Sequence, residues 1–217
     1  MKTPLIIFDF DGTLADTQRN VVGAMQDVMR TLQLPMQDYA TCASTIGLPL
    51  RKCYAKMFPD MTAEQLEECA QHHYKFFAEN LKTMPPAPFP HVRETLTELR
   101  SGGITLAIAS SRANFSLMNL LRSIELEEFF TCIIGADDIV HSKPDAEPVL
   151  KVLERTGYQA EDTLVVGDMD VDILMGKNAG TRACGVTYGN GSKEELLAAG
   201  ADYIIDGFDE IIGLIND

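Results

Sequence analysis

Leu5-Ile6-Ile7-Phe8-Asp9-Phe10-Asp11-Gly12-Thr13-Leu14 decides the fold of this chain. Leu5–Phe8 is a short, continuous apolar run rich in branched side chains, which predicts a strand buried on both faces. It breaks at once into Asp9 and Asp11, two residues apart. In extended chain that spacing points both carboxylates to one side, and Gly12 permits a sharp exit.

Similar apolar runs recur at Ile104–Ala109, Cys132–Ile134, Leu164–Val166 and Ala183–Val186, with Tyr203–Ile205 a weaker sixth. Helical patterns lie between them, at Asn114–Glu125, Glu147–Thr156, Asp172–Ala179 and Lys193–Ala199. Strands alternating with helices predict an α/β fold, a doubly wound parallel sheet (a Rossmann-like core) covered on both faces. From about Asp16 to Met84 that rhythm stops. Val21, Val22, Met25, Val28, Met29 and Leu32 follow helical spacing, as do Leu66, Cys69, Ala70, His73 and Phe76–Phe77 after a Thr62…Gln65 capping box. Pro85-Pro86-Ala87-Pro88-Phe89-Pro90 then reads as a stiff linker. The expected organisation is a catalytic core of residues 1–14 and 86–217, with an α-helical cap of residues 15–85 inserted. Two crossings would make a hinge; a rigid helical layer packed on the core is the alternative, and both stay open.

The 217 residues hold 46% hydrophobic and 23% charged side chains, ordinary globular usage. A formal net charge of −14 repels a phosphate backbone, so no nucleic-acid partner is expected, while small phosphorylated metabolites stay open. No run is long enough to span a bilayer, and the apolar run after Lys2 is too short for a signal peptide; no membrane association and a cytoplasmic location are expected. Five cysteines without a CxxC pair suit buried reduced thiols, and the His72–His73 pair lacks metal-ligand spacing. Oligomeric state is not readable.

Ligands of a doubly wound sheet sit beyond the carboxyl ends of its strands. There the chain offers Asp9 and Asp11, then Ser110-Ser111-Arg112, then Lys143 before Pro144, then Gly167-Asp168-Met169-Asp170-Val171-Asp172. Converging carboxylates repel one another unless protonated or neutralised by a hard cation; an all-oxygen donor set favours Mg2+. Magnesium, a lysine and a carboxylate nucleophile suit phosphoryl transfer. Each piece alone has a plainer reading as a turn, helix cap or solvated loop. Their order, each following a predicted strand, carries the signal.

That ordered set resembles the haloacid dehalogenase superfamily of phosphohydrolases across essentially the whole chain. Phe8-Asp9-Phe10-Asp11-Gly12-Thr13-Leu14 is similar to its first motif, Ser110 to the second, Lys143 in Ser142-Lys143-Pro144-Asp145 to the third, and Gly167-Asp168 with Asp172 to the fourth. The resemblance implies Asp9 as nucleophile and Asp11 as general acid and base. It implies metal held by Asp9, the Asp11 backbone carbonyl and Asp168, with Asp172 acting through water or by orienting Lys143. Ser110, the Ser111 amide and Lys143 would hold the phosphoryl group. Asp11 occupies a position where the dehalogenases themselves lack a carboxylate, so phosphatase or mutase chemistry is favoured over C–halogen cleavage.

The helical insert and Gly185-Val186-Thr187-Tyr188-Gly189 resemble the phosphoglycolate phosphatase and pyrophosphatase group. Ile46-Gly47-Leu48-Pro49-Leu50-Arg51 resembles the loop that selects substrates. Related β-phosphoglucomutases place an arginine where this chain has Leu50, with Arg51 one place later, which counts against a mutase. The leading expectation is a phosphatase of a small metabolite such as 2-phosphoglycolate. Inorganic pyrophosphatase is a second, with Arg51, Lys52 and Arg112 as candidate charges near the leaving group. A non-catalytic binding protein is a third, disfavoured by intact Asp9, Asp11, Lys143 and Asp168. Asp137-Asp138 reads as a solvated acidic pair rather than a support for the Lys143 loop.

Overall fold

The computed structural model describes residues 4–215; the expected core's outermost residues, 1–3 and 216–217, lie outside them. Strand β1 (Leu5–Phe8) is the centre of the molecule, with all four side chains at zero exposure. After it come β2 (Ala15–Asp16) and four helices, α1 (Gln18–Thr31), α2 (Tyr39–Ala43), α3 (Leu50–Met57) and α4 (Ala63–Thr83). Strand β3 (Ala87–Pro88) and helix α5 (Val92–Ser101) lead back to the sheet. The remaining elements alternate: β4 (Thr105–Ala109), α6 (Asn114–Ser123), β5 (Cys132–Ile134), α7 (Glu147–Thr156), β6 (Thr163–Gly167), α8 (Asp170–Asn178), β7 (Arg182–Val186), α9 (Lys193–Ala198), β8 (Tyr203–Ile205) and α10 (Ile211–Leu214).

The parallel sheet runs β5-β4-β1-β6-β7-β8. Alternation along β1 divides its side chains between two cores. Ile6 and Phe8 join Leu96, Leu117, Phe208 and Ile211, whereas Leu5 and Ile7 join Val149 and Val152 of α7 and Met175 of α8. Burying each such side chain contributes about 1.5–3 kcal/mol, which is why this strand tolerates no polar residue until its end. Register then sets the chemistry. Phe8 lies opposite Ile108 on one side and Val166 on the other, so Asp9, Ser110 and Asp168 emerge at one sheet edge.

The insert is helical, as its spacing predicts. Val21, Val22, Met25, Val28 and Met29 are the buried face of α1, which packs on α4. Thr62 and Gln65 form the expected capping box: the Gln65 amide donates to Thr62 Oγ1 at 3.3 Å and the Thr62 amide to Gln65 Oε1 at 2.9 Å. The Pro-rich stretch is not only a linker. Ala87 and Pro88 pair antiparallel with Asp16 and Ala15, so the two crossings form one short ribbon. Two-residue strands are too short for a period-2 pattern, and proline is tolerated at such an edge. Helix α6 ends at Ser123, with Glu125 in the left-handed region (φ 54°), and α8 begins two residues before the expected Asp172. Helix α5 is an addition to the helical patterns read above. All five cysteines are buried and unpaired. Among the described residues no helix is long and apolar enough to cross a membrane.

Candidate active site

The Asp9 amide donates to the Val166 carbonyl at 2.9 Å and the Ser110 amide to the Ile134 carbonyl at 2.9 Å, extending the sheet by one residue on each strand. Gly12 then turns with φ 90°, and a Cβ there would fall 2.1 Å from Asp168 Oδ2. Only glycine allows both that backbone angle and that approach.

Asp9, Lys143, Asp168 and Asp172 form one buried group. Lys143 Nζ donates to Asp9 Oδ1 at 2.5 Å and to Asp172 Oδ1 at 2.6 Å. Asp172 also caps α8, its Oδ2 accepting from the Met169 amide at 3.0 Å. Asp168 accepts from the Asn190 amide at 2.7 Å, from Asn190 Nδ2 at 2.8 Å and from Thr13 Oγ1 at 3.1 Å. Burial raises the Asp9 carboxyl well above its ordinary range, against the opposing pull of Lys143. Burial, then the Asp172 charge, pushes Asp168 up to about 7. On Lys143 burial is the largest influence and lowers its pKa, but Asp172 and Asp9 outweigh it, so the net direction is up and the ammonium form is favoured.

Three carboxylates against one ammonium leave this pocket short of positive charge. One oxygen from each of Asp9, Asp168 and Asp172 lies within 4.8 Å of the others. An all-oxygen, anionic, buried donor set of this size fits a hard divalent cation such as Mg2+. The Asp11 carboxylate is not in that cluster. It faces Arg112, whose Nε donates to Oδ2 at 3.0 Å and Nη2 to Oδ1 at 2.5 Å, and it also accepts from the Thr17 hydroxyl.

Ser110 Oγ accepts from the Arg112 amide at 3.2 Å, and Ser111 Oγ donates to the Gly47 carbonyl of the insert at 2.7 Å. Asp9, Asp11, Ser110, Ser111 and Arg112 share one cleft with Ile46–Arg51, His73 and Tyr74 of the insert. His73 is buried, shares a hydrogen bond with Tyr54 Oη (3.2 Å) through Nδ1, and stacks on Phe77. Burial, with a smaller push from Arg112, lowers its pKa to about 3, so the ring is neutral at pH 7. Arg51 lies at the rim, paired with Glu67 at 2.5 Å and half exposed. Lys52 Nζ donates to Ser142 Oγ at 2.6 Å, beside Lys143.

Several functional contacts escape a reading of the sequence. Asn190 holds Asp168 from 22 positions away with nothing in its local composition to mark it, and Thr13, although inside the Phe8–Leu14 motif, shows its bond to Asp168 only in the fold. Gly189 did carry a signal in the Gly185–Gly189 run: a Cβ there would lie 2.3 Å from Asp168 Cβ. Asp137 is exposed, in keeping with the solvated reading, whereas the half-buried Asp138 departs from it. Asp137 Oδ2 accepts from the Asn114 amide at 2.7 Å, and Asp138 from the Gly135 amide at 3.0 Å and Arg155 Nη2 at 3.1 Å. They anchor the start of α6 and the loop after β5.

Residues 6–186 match the family model described as haloacid dehalogenase-like hydrolase. The chain is 38% identical to "Probable phosphatase IndB" of Dickeya dadantii, over 97% of this chain and 92% of that one. It is 33% identical to the phosphoglycolate phosphatase of Aquifex aeolicus, over 85% of both chains. It is 26% identical to pyrophosphatase PpaX of Halalkalibacterium halodurans, over 100% of this chain and 98% of that one.

Proposed function

The chain belongs to the haloacid dehalogenase-like hydrolase family, and on that premise we propose a Mg2+-dependent phosphatase that hydrolyses a small phosphorylated metabolite, as phosphoglycolate phosphatases do, through an aspartyl-phosphate on Asp9. The observation that carries this reading is the buried contact of Lys143 with Asp9 and Asp172 beside Asp168. A protein that only bound anions would have no use for a buried carboxylate aimed into the same cleft.

In this account an Asp9 oxygen attacks phosphorus, and the bond from phosphorus to the ester oxygen breaks. Asp11 gives its proton to that leaving oxygen. The alcohol departs, and Asp11 then takes a proton from the water that attacks the aspartyl-phosphate. Breaking the new P–O bond returns Asp9 as a carboxylate and releases inorganic phosphate. Lys143 offsets the repulsion between Asp9 and an anionic phosphoryl group, and Asp172 holds the ammonium in place. Ser110 and the Ser111 amide orient phosphoryl oxygens. Magnesium bound by Asp9, Asp168 and the Asp11 backbone carbonyl would supply further positive charge to the phosphoryl group.

Residues 15–85 are proposed as a cap moving over this edge. Two features support it: both crossings run through the β2–β3 ribbon, and Ser111–Gly47 and Lys52–Ser142 are polar contacts across the junction. The test of function is phosphate release from 2-phosphoglycolate, pyrophosphate and hexose phosphates. It is run with Mg2+, with chelator and with Asp9→Asn. Release that needs Mg2+ and Asp9 is expected; no release from any compound by folded, Mg2+-loaded protein would contradict the phosphatase reading.

A further inference from the structure

Arg112 forks onto both oxygens of Asp11, and the Thr17 hydroxyl adds another donor to Oδ1. The pair is largely shielded, with side-chain exposures of 11% and 13%. Three of the four lone-pair sites of the Asp11 carboxylate are taken in this way, and the guanidinium fork faces both oxygens. For Asp11 to turn either oxygen toward a leaving group, the guanidinium has to give up its side of the fork.

Three features show where it can go. Among the described residues lining the cleft, the cationic side chains are Arg112 and Arg51, and Arg51 is held at the rim by Glu67. Arg112 also rests over the Phe77 ring, 4.7 Å from its centroid, and Nη1 donates to Ser116 Oγ at 3.0 Å. A ring face and a hydroxyl let the guanidinium rotate without losing its support. Its planar fork matches a carboxylate or phosphate as well as it matches Asp11.

We infer that Arg112 is a specificity-determining latch: a substrate whose leaving portion carries a second anion draws Arg112 off Asp11 and so frees Asp11 for the leaving oxygen. The inference rests on the phosphatase reading and narrows it. The substrate class is a phosphate ester or anhydride with a carboxylate or second phosphate on the leaving side. Esters with a neutral leaving portion leave the latch closed. The same side chain thus couples recognition to catalysis, because binding energy from a remote group is spent on completing the site.

Two esters differing only by the carboxylate test this, 2-phosphoglycolate and ethyl phosphate, with pyrophosphate as a third arm for a phosphate as second anion. The readout is the ratio of kcat/KM values, which does not depend on how much enzyme is folded. The wild type should favour 2-phosphoglycolate or pyrophosphate over ethyl phosphate, and Arg112→Gln should shrink that ratio about 10- to 100-fold, the worth of a charge-assisted hydrogen-bond pair. Arg112→Lys, which keeps charge but not the fork, should recover part of it. Binding of the same compounds to Asp9→Asn, with and without Arg112→Gln, is measured by calorimetry. Turnover with an unchanged ratio overturns the latch while the phosphatase reading stands. Arg112-dependent binding of 2-phosphoglycolate with no turnover by the wild type upholds the anion subsite and overturns the phosphatase reading.

Discussion

Lys143 Nζ lies 2.5 Å from Asp9 Oδ1, and neither side chain has meaningful contact with solvent. The two residues are separated by 134 positions and come from loops following different strands of one sheet edge. The cost of burying both charges is met by this contact and by Asp172 on the other side of the ammonium. Any change that removes the lysine leaves two buried carboxylates facing each other with no cation between them.

Lys143→Met is therefore expected to lower stability by about 3–5 kcal/mol in metal-free protein, the usual cost of stranding a buried charge. Urea melts with and without Mg2+ check it. A smaller loss in Mg2+ is expected, since a bound cation compensates the same carboxylates, and phosphate release should remain impaired.

Magnesium should raise the melting temperature of the wild type and not of Asp168→Asn. At about 100 times its dissociation constant a ligand adds about 2.7 kcal/mol. Thermal melts across a Mg2+ titration read this directly. An equal shift in both proteins would remove Asp168 from the metal site.

Gly12→Ala should be damaging although the change is one methyl group. It demands φ 90° of an L residue and drives a Cβ into Asp168 Oδ2. A cost of about 1–3 kcal/mol is expected from the backbone alone, with displacement of Asp168 added to it. Activity should fall at least about tenfold when Mg2+ is limiting and less when Mg2+ is saturating, read as kcat/KM across a Mg2+ series.

His73 provides the pH dependence. Its folded pKa is lowered to about 3, below its ordinary 6.5, so the unfolded chain binds the extra proton. The stabilisation is complete above about pH 6.5 and is lost as pH falls toward 3. Between pH 6.5 and 5 the loss is about 1.6 kcal/mol. Urea melts of wild type and His73→Gln over that range should differ in slope, with the variant flatter.

Much of this architecture is legible in the sequence, and the reason is locality. Leu5–Phe8 followed by Asp9 is a strand and its chemistry in one stretch, and Gly167-Asp168 with Asp172 repeats the device across a strand end and a helix start. What escaped is long-range. Arg112 meets Asp11 across 101 positions, and Asn190 reaches Asp168 across 22. A polar residue in a loop looks the same whether it faces water or a buried carboxylate. The β2–β3 ribbon was missed for a different reason: two residues cannot display a period. Asp138 reads as solvated because a capping carboxylate is recognised only when the amides it accepts from are placed.

If Asp9 carries the phosphoryl group, that group can be trapped on its side chain. Borohydride reduction during turnover converts an aspartyl-phosphate to homoserine, and peptide mass spectrometry locates it. Homoserine is expected at position 9, only when substrate and Mg2+ are both present. Turnover that continues in Asp9→Asn, with no reduced residue at position 9 in the wild type, would contradict it.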